Sequence, residues 1–581
     1  MNPSAAATSP RTRPARWLQP ALAEIPSDWG IPSIVAKILW KRGLRSRAEV
    51  RRFMEPSLDD LHDPMRMAGM KDAVARLLRA IEGQEKVLLY GDYDVDGITS
   101  VVILKTALRL AGLNASFHVP HRLKDGYGMH AEVIEQAAAD GVKLIISVDT
   151  GIRATAVVKQ AAVLGIDCIV TDHHLPEEEL PPAVAVLNPN RPDCPYPEKN
   201  LCGAGVTLKL VQALHGALGW DAARRQKILL SLLKLAAVAT VADVVPLEGE
   251  NRIIVKHGLA DLAATRNPGL RALLQVAGFE PNQSPSAGQV AFRIAPRINA
   301  AGRMANAADA IEMFLTADEG RAFQLAEQLN VLNTERQQTE QEIIAAIVRE
   351  CEQVPVTDES HALVFAGENW HKGVVGIVAS RMVDRFHRPA FVLSIDTETG
   401  KVQGSGRSAA NFHLLQGLES MAELFVKFGG HRQAAGLTLE ASNLEEFRRR
   451  FQLVAASQLS AEDFRKTYEI DAMVSLDELD DPTATALLSM APFGMGNPAP
   501  LLAALQAEVA GPGEVFAEKH LRVKLRRNGR VMTMKAWDMG HRAAELQPGM
   551  KIDVAFTVED DPYSASRGYS FWSATIKDFR I

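Results

Sequence analysis

Seven acidic and imidazole side chains stand directly after apolar runs of the sequence, and their types suit a metal site. They are Asp92, Asp94, Asp96, Asp149, Asp172, His173 and His174. Carboxylates gathered in one place raise one another's pKa values unless a cation neutralises them. Carboxylate oxygen with imidazole nitrogen suits Mn²⁺ or Mg²⁺, whereas the lack of thiolate partners disfavours a structural zinc site.

Two divalent cations in such a cluster would suit the hydrolysis of a phosphodiester. Held about 3.5–4 Å apart, two ions lower the pKa of a water between them and stabilise the entering and leaving oxygens. The protein then mainly positions and neutralises the reactants. Asp243, at the end of an apolar helical segment, is a candidate for a further ligand.

Each motif taken alone has a simpler explanation. Asp92–Gly97 matches the start of a calcium-binding EF-hand loop, but the twelfth position, which requires glutamate, is Ile103, and a strand rather than a helix precedes it. Asp149 alone is compatible with a helix cap. His173 and His174 alone are compatible with an ordinary surface or core pair. The occurrence of all three motifs at strand ends favours the metal site.

The elements that must position these side chains alternate between strands and helices. Five short β-branched or apolar runs predict buried strands: Val87–Tyr90, Ala115–Val119, Leu144–Val148, Ile166–Val170 and Val184–Leu187. Between the first two, Thr99 or Ser100 can cap a helix that ends at Gly112. This alternation predicts an open parallel α/β sheet, and ligands bind beyond the carboxyl ends of such strands.

The rest of the chain predicts further bodies. A helical region runs from about 206 to 274. The segment 317–352 predicts a connector helix whose apolar face lapses from Asn333 to Glu342, as in helices that bridge two bodies through solvent. A second α/β unit spans about 361–454, and short alternating segments at the C-terminus predict a small β-barrel. The predicted divisions are 1–50, 51–316, 317–352, 353–460 and 461–581.

Composition and charge restrict the class of protein. The chain has 581 residues, of which 47% are hydrophobic and 23% charged, which excludes disordered, collagen-like and disulfide-stapled chains. Four cysteines without paired CxxC spacing predict a reducing interior. A net charge of −6 disfavours indiscriminate polyanion binding but is compatible with a local basic groove.

Neither a membrane span nor a secretory signal is expected. The longest apolar candidate, Ile228–Val245, is interrupted by charged residues, whereas a span needs roughly 18 apolar residues. Arg11, Arg13 and Arg16 have no hydrophobic stretch behind them, so the N-terminus is expected to be a frayed leader. We expect a cytoplasmic monomer without membrane association.

The four acidic motifs together resemble those of a known superfamily. Asp94-x-Asp96-Gly97, Val148-Asp149-Thr150-Gly151, Asp172-His173-His174 and Ala242-Asp243 are similar to the motifs of the DHH phosphoesterases, and above all to the RecJ single-strand-specific 5′→3′ exonucleases. The resemblance extends over nearly the whole chain apart from the leader. It implies a DHH catalytic domain, a connector helix, a DHHA1-like substrate-binding domain and an OB-like nucleic-acid-binding domain.

The resemblance also implies roles for individual residues. Two Mn²⁺ or Mg²⁺ ions would be bound by Asp94, Asp96, Asp149, His173 and Asp243. Catalysis would involve Asp149, which bridges the ions, His174, which faces the scissile phosphate, and Asp96. Relatives that cut pyrophosphate or short substrates often carry a histidine four residues before Asp94, where this chain has Tyr90. Either Asp92 takes its place or the first ion binds weakly.

Cationic side chains in the same segments are candidates for phosphate binding. Arg122 follows the second predicted strand, and Arg297 and Arg303 flank Asn299–Gly302, a run of small residues predicted to be a loop that approaches a ligand closely. Alone, such arginines are usually solvated surface groups. The resemblance implies that they hold DNA phosphates.

Two glycine-rich segments of the second domain are candidate anion sites. Ser405 and Arg407 lie between and beside glycines, and His431 follows Gly429 and Gly430. Such segments form either an anion-binding concavity or ordinary tight turns. The resemblance implies that Ser405 and Arg407 capture a 5′ phosphate.

The C-terminal β segment carries the most cationic stretch. Arg522, Lys524 and Arg526 alternate, which places them on one strand face, with Phe516 and Trp537 nearby. This pattern fits either a single-strand-binding groove of charge and stacking or a solvated hairpin over a core. The resemblance favours the groove, formed by Arg522, Lys524, Arg526 and Trp537.

The function expected from these patterns is metal-dependent 5′→3′ exonuclease activity on single-stranded DNA, which releases 5′-mononucleotides during recombination and repair. Single-strand-binding protein is a possible partner implied by the resemblance. One alternative is a phosphodiesterase of short RNA or cyclic dinucleotides, which would need neither the connector nor the added barrel. Another is a non-catalytic single-strand-binding scaffold, whose signature would be lost carboxylates.

Overall fold

The computed structural model describes residues 14–20, 29–122, 124–409 and 411–581. These residues divide into two compact units. One comprises Glu55–Arg336 with Ala491–Pro498, and the other comprises the described residues before Glu55 with Gln337–Met490 and Ala499–Ile581. The boundary between them falls within one long helix, Glu319–Gln353.

The described part of the N-terminal segment is structured. It contains β1 (Arg16–Leu18), α1 (Ser33–Lys41) and α2 (Arg47–Met54). β1 pairs in parallel with residues 467–469, so the expectation of a frayed leader is wrong at Arg16. The reason is a non-local strand partner about 450 residues away, which local sequence patterns do not reveal. Arg11 and Arg13 lie outside the described residues.

An open sheet of five parallel strands carries the first unit. Its elements are α3 (Met70–Glu82), β2 (Val87–Tyr90), α4 (Val95–Leu110), β3 (Ser116–His118), α5 (Ala131–Ala139), β4 (Leu144–Val148), α6 (Thr155–Val163), β5 (Asp167–Thr171) and β6 (Ala185–Leu187). The strand order is β3-β2-β4-β5-β6. The predicted parallel α/β sheet is therefore confirmed, with two strands as predicted and the ends of the other three shifted by one residue.

Burial on both faces explains the apolar runs in these strands. Along β2, Val87 and Leu89 pack into one hydrophobic cluster, whereas Leu88 and Tyr90 pack into another. Successive side chains of a strand point to opposite faces, so a strand covered on both sides must be apolar throughout.

Helix α4 begins earlier than predicted. Its first residue is Val95 and its N-cap is Asp94, whose Oδ1 accepts hydrogen bonds from the backbone N–H groups of Asp96 at 2.9 Å and Gly97 at 3.1 Å. Thr99 and Ser100, the predicted caps, lie inside the helix. An aspartate is as good a cap as serine, and this one brings the acidic motif into the first turn.

A group of helices completes the first unit. They are α7 (Gly203–Ala217), α8 (Ala222–Ala242), α9 (Gly249–Ala260), α10 (Pro268–Val276), α11 (Ala287–Gln289), α12 (Ala295–Met304) and α13 (Ala308–Leu315), with a π-helical turn at Val290–Ile294. α7 and α8 pack against α4. They thereby hold in place the helix whose N-cap is Asp94 and whose first turn carries Asp96.

The long helix α14 (Glu319–Gln353) has a buried face along its whole length. The expectation that its middle is exposed all round is wrong, because Asn333, Arg336 and Glu340 are only 3%, 8% and 7% exposed. Polar partners make this burial tolerable. Arg336 donates to Asn333 Oδ1 at 2.8 Å, and Glu340 accepts from Arg381 at 3.1 Å.

A mixed five-stranded sheet forms the first part of the second unit. Its elements are β7 (Leu363–Glu368), α15 (Val375–Phe386), β8 (Ala390–Ile395), β9 (Lys401–Arg407), α16 (Leu414–Glu419), β10 (Phe425–Gly430), β11 (Ala434–Glu440) and α17 (Leu444–Gln458). The order is β10-β11-β9-β8-β7, with β7 and β8 parallel. Phe391 packs edge-on against Phe447 and Phe451 in its core.

The C-terminal part closes into a small barrel. Its elements are β12 (Thr467–Glu469), β13 (Ala472–Met473), α18 (Asp481–Ser489), β14 (Leu502–Val509), β15 (Glu514–Phe516), β16 (His520–Arg527), β17 (Arg530–Ala536), β18 (Lys551–Asp560), α19 (Pro562–Ala565) and β19 (Trp572–Arg580). β14 pairs with both β18 and β16, which closes a five-stranded circuit of the OB type. The predicted barrel is confirmed.

Across the described residues, no helix combines the length and the apolar character that crossing a membrane requires.

Candidate metal centre

Four stretches of chain deliver the candidate ligands to one edge of the parallel sheet. Asp92 follows β2, Asp94 and Asp96 begin α4, Asp149 follows β4, Asp172, His173 and His174 follow β5, and Asp243 caps the end of α8. Parallel strands end at the same edge of a sheet, so three of these stretches are neighbours by construction.

The side chains form three overlapping groups, in each of which the ligand atoms lie within 4.8 Å of one another. The groups are Asp92, Asp94 and Asp149; Asp96, His173 and Asp243; and Asp149, His173 and His174. His173 Nε2 lies 3.2 Å from Asp149 Oδ1, 3.7 Å from Asp243 Oδ2 and 3.8 Å from Asp96 Oδ2. Asp149 and His173 each belong to two groups, so the arrangement suits two ions.

Unsatisfied atoms in the cluster fit this interpretation. Four buried ligand atoms of these groups have no hydrogen-bond partner among the described residues: Asp92 Oδ1, Asp149 Oδ1, His173 Nε2 and Asp243 Oδ2. Each such atom costs roughly 1–3 kcal/mol when left unpaired. Four together, all carboxylate or imidazole, are the donor set that Mn²⁺ or Mg²⁺ prefers.

Without cations the carboxylates hold protons more tightly than usual. Burial, and then the charges of Asp96, Asp94, Asp92 and Asp243, raise the pKa of Asp149 well above its ordinary value. Burial and the charges of Asp96 and Asp94 raise the pKa of Asp243 to about 9. Burial lowers the pKa of His173, which keeps its imidazole neutral, as a metal ligand must be.

Asp172 serves the neighbouring histidines rather than a metal. It is fully buried and accepts from the backbone N–H groups of Ile152, His173 and His174 and from His174 Nδ1 at 2.7 Å. Burial opposes a charge on His174, but the hydrogen bond and charge of Asp172 outweigh it and raise the pKa of His174 to about 9. His174 is therefore protonated at neutral pH, and its side chain is 40% exposed.

The position where related enzymes carry a histidine is accounted for. Tyr90 is fully buried, and its hydroxyl donates to the Gly128 carbonyl and accepts from the His130 N–H, both at 3.2 Å. It therefore ties down the segment after β3. Asp92 instead lies with Asp94 and Asp149, and that it completes the first metal site stays a prediction.

The cationic candidates of the first unit differ in their surroundings. The Arg122 guanidinium lies 5.0 Å from the ring of Tyr93, a residue of the first acidic motif, and Arg303 is near enough for its charge to act on Tyr93. Arg297 lies elsewhere in the packing, since it donates to Asn330 Oδ1 at 3.0 Å and to the Arg293 carbonyl. Burial lowers its pKa.

The prediction that Asn299–Gly302 forms a loop is wrong, because this run is part of helix α12. Asn299 Oδ1 accepts from the Val95 N–H at 3.2 Å, and a Cβ added at Gly302 would lie 2.3 Å from the Tyr93 carbonyl oxygen. The small residues therefore allow close approach to the first acidic motif and not to a ligand. Small side chains are compatible with a helix as well as a loop, and only the packing distinguishes the two.

The candidates of the DHHA1-like sheet lie on neighbouring strands. Ser405 and Arg407 are two residues apart on β9 and face Gly376 in the first turn of α15. A Cβ added at Gly376 would lie 3.2 Å from the Arg407 guanidinium and 3.5 Å from the Ser405 hydroxyl. His431 lies exposed in the turn between β10 and β11. Ala434, at the start of β11, pairs with Arg407 on β9, so this turn lies near Arg407. A helix N-terminus with an arginine and a hydroxyl is suited to an anion.

The barrel places its cations as predicted by alternation. Along β16, Arg522, Lys524 and Arg526 point outward between buried Leu521, Val523 and Leu525. Arg522 and Arg526 also face Glu514 at 3.9 Å and Glu508 at 3.4 Å. Trp537 is 47% exposed and packs edge-on against His520 and Phe516.

Sequence patterns missed one contributor to the metal centre. The first two residues of α7, Gly203 and Ala204, donate their backbone N–H groups to Asp96 Oδ2 at 2.6 Å and Oδ1 at 2.7 Å. The available signal was the motif Cys202-Gly203-Ala204-Gly205 before an apolar helix. Backbone donors carry no side-chain signature, so only the structure identifies them.

Three family models match this chain in the order of its domains. The DHH family N-terminal domain matches residues 86–240, the DHHA1 domain matches 359–457 and the RecJ OB domain matches 470–571. The first covers the acidic motifs up to β5 and most of α8.

Curated relatives match over most of the chain. The single-stranded-DNA-specific exonuclease RecJ of Dickeya dadantii is 38% identical over 87% of this chain and 88% of its own length. The chain belongs to the RecJ family. The Thermus thermophilus RecJ is 32% identical over 93% of this chain and 74% of its own length. For the Bacillus subtilis RecJ, 37% identical, the match spans 90% of this chain but 65% of that protein, slightly under two thirds.

Solved RecJ structures share the fold. The Thermus thermophilus RecJ in complex with Mn²⁺ aligns with a TM-score of 0.81 at 30% identity, over 97% of this chain and 79% of that one. A second RecJ bound to manganese aligns with a TM-score of 0.59 at 35% identity, over 70% of this chain and all of that one. The RecJ architecture of DHH, DHHA1 and OB parts is therefore present here.

We expect stabilisation by Mn²⁺ to increase between pH 6 and pH 8. Raised carboxylate pKa values mean that the folded metal-free protein retains protons that the unfolded chain has released, so its stability falls as pH rises from about 4 towards 9. Mn²⁺ competes with those protons and binds more tightly at the higher pH. Thermal unfolding at fixed Mn²⁺ should show a larger increase in melting temperature at pH 8. The assignment would be contradicted if Mn²⁺ raised the melting temperature equally at pH 6 and pH 8. It would also be contradicted if the Asp243→Asn variant showed as large a difference between the two pH values as the wild type.

Proposed function

We propose that this protein is a metal-dependent exonuclease that degrades single-stranded DNA from its 5′ end and releases 5′-mononucleotides. The observation that carries the proposal is the cluster of unsatisfied carboxylate and imidazole atoms at the strand ends, in a chain of the RecJ family. The relatives are named single-stranded-DNA-specific exonucleases, which supplies the substrate class, and the direction of degradation is part of the proposal.

The residues of the centre are assigned two roles, metal ligand and proton donor to the phosphate. Asp92, Asp94 and Asp149 would hold one cation, and Asp96, His173 and Asp243 would hold the other. Asp149, whose Oδ1 lies 3.2 Å from His173 Nε2, is assigned as a ligand that both would share. When bound, the two cations lower the pKa of a water and neutralise the charge that develops on the phosphodiester. His174 holds a proton at neutral pH and is assigned to a non-bridging oxygen of the scissile phosphate.

The substrate contacts follow from the remaining cations. Arg122 and Arg303 lie near the first acidic motif and are assigned to phosphates beside the cleaved bond. Arg297 is assigned to holding α12, because its guanidinium is engaged by Asn330 and Arg293. Ser405 and Arg407, with His431 nearby, are assigned to the 5′ phosphate. Phosphate contacts of this kind give affinity and register without reading sequence.

The barrel is assigned to binding the single strand. Outward cations on β16 supply backbone contacts and the exposed Trp537 ring supplies stacking, the two interactions by which OB folds grip single strands. The alternative of a non-catalytic scaffold is disfavoured because every candidate carboxylate is retained and clustered. A role in recombination and repair, a cytoplasmic location, a monomeric state and contact with single-strand-binding protein complete the proposal.

Asp149→Ala should lower the cleavage rate by about 10³-fold or more, because the shared ligand of both cations is lost. The assay compares single strands and duplexes labelled at the 5′ or the 3′ end, with Mn²⁺, Mg²⁺ or a chelator. Release of labelled mononucleotide first from the 5′ end of single strands is expected. The surface variant Asp59→Ala should retain activity. Full activity in Asp149→Ala, or release from the 3′ end, would refute the proposal.

Arg407→Ala should abolish the preference for a 5′-phosphorylated end. A charged hydrogen bond to the phosphate is worth about 1.5–3 kcal/mol, which corresponds to a 10- to 100-fold loss on 5′-phosphate strands. Rates on 5′-hydroxyl strands should change little, and Lys427→Ala, an exposed position on β10 of the same sheet, should change neither. A wild-type enzyme that cuts both ends equally fast would argue against this pocket.

Alanine variants of the barrel should separate the contributions of charge and of stacking to the affinity for single-stranded DNA. Replacing Arg522, Lys524 and Arg526 by alanine should reduce the slope of log affinity against log salt by about 2, because each phosphate contact to a single strand contributes about 0.7. Trp537→Ala should weaken binding by about 1–3 kcal/mol and leave the slope unchanged. Equilibrium titrations of a labelled single strand in chelator measure both. Unaltered binding in both variants would exclude the barrel from the path.

A further inference from the structure

The N-terminus of α7 contacts the metal centre directly. Gly203 and Ala204 donate to the two oxygens of Asp96 at 2.6 and 2.7 Å. The first four N–H groups of a helix have no partner inside it, so these two can serve the carboxylate without loss to the helix. Asp96 is fully buried, and both of its oxygens have fixed directions.

The same helix end also touches Asp149. A Cβ added at Gly203 would lie 2.6 Å from Asp149 Cβ and 2.7 Å from its Oδ1, distances that real Cβ atoms essentially never show. Asp149 has little freedom to move, because its backbone φ is +60° and its N–H donates to the Thr171 carbonyl at 2.9 Å. Glycine is needed at position 203 for space.

A third contact links this helix end to α8, which carries Asp243. Cys202 Sγ, one residue before α7, lies 3.5 Å from Thr240 Oγ1. Thr240 is fully buried and lies three residues before Asp243. One short segment, Cys202–Ala204, therefore contacts Asp96 and Asp149 directly and the helix that carries Asp243.

We propose that Gly203 and Ala204 are positioning residues that set the separation of Asp96 from Asp149 and thereby the affinity for the metal pair. The inference rests on the proposed function, since it assigns these carboxylates to cations. Groups that hold a ligand without touching the metal typically change metal affinity by 10- to 100-fold when altered. The segment touches a ligand of each proposed ion, so both should respond.

The test is a titration of the full chain with Mn²⁺ in the absence of DNA, in which electron paramagnetic resonance measures the concentration of unbound ion. Gly203→Ala should weaken binding 10- to 100-fold. Its kcat should fall at limiting Mn²⁺ and recover in part at saturation, while KM for single-stranded DNA stays unchanged. Gly205→Ala is the matched control, because the three atoms nearest a Cβ there all belong to the flexible Leu201 side chain, at 3.2 Å or more, and not to an acidic residue. Wild-type affinity in Gly203→Ala would overturn the inference.

A second variant tests the hydrogen bond by itself. Ala204→Pro removes the N–H that donates to Asp96, at a position in the first turn where proline is tolerated. It should retain the wild-type melting temperature without metal and bind Mn²⁺ more weakly. Unfolding of both variants would overturn the inference, because the contact would then hold the fold rather than the ligands. A wild-type protein that binds no Mn²⁺ would instead refute the proposed function.

Discussion

The mutual repulsion of buried carboxylates is the constraint on which this structure depends. Asp92, Asp96 and Asp149 are each less than 5% exposed, and their ligand atoms join those of Asp94 and Asp243 in groups 4.8 Å across. Burial leaves little water around them to screen the charge, so protons or cations are needed to relieve the repulsion. The fold holds these groups together at a cost that bound metal offsets.

Hydrogen-bond partners divide the acidic residues into two kinds. Asp172 is surrounded by N–H donors from the backbone and from His174, so it is a scaffold that orients the histidine. Asp149 Oδ1 and Asp243 Oδ2 have no such donor among the described residues, so they remain available to a cation. Asp96 is intermediate, held by α7 yet facing His173.

The RecJ family assignment and the geometry together account for one departure from related enzymes. At the position where the resemblance implied a histidine, Tyr90 is hydrogen-bonded to the segment at Gly128–His130. Tyr127 directly precedes this segment, and its hydroxyl lies 3.4 Å from His174 Nδ1. Tyr90 therefore anchors this segment, and Asp92 lies with Asp94 and Asp149 in the acidic cluster.

The sequence by itself determined the parallel sheet, the barrel and the acidic motifs, because these depend on short-range patterns. Runs such as Val87–Tyr90 and the alternation at Arg522–Arg526 follow from which faces are buried. Strand ends then place Asp92, Asp149 and His173 at one edge without further knowledge.

Only the tertiary structure decided the features that depend on contacts between distant residues. Asn299–Gly302 is helical because it packs on Tyr93, and Asn333, Arg336 and Glu340 are buried despite a pattern typical of solvent. The N–H groups of Gly203 and Ala204 reach Asp96 from more than a hundred residues away. Backbone donors and close approaches leave no periodicity in a sequence, since they are set by where two elements meet and not by the residues within either one.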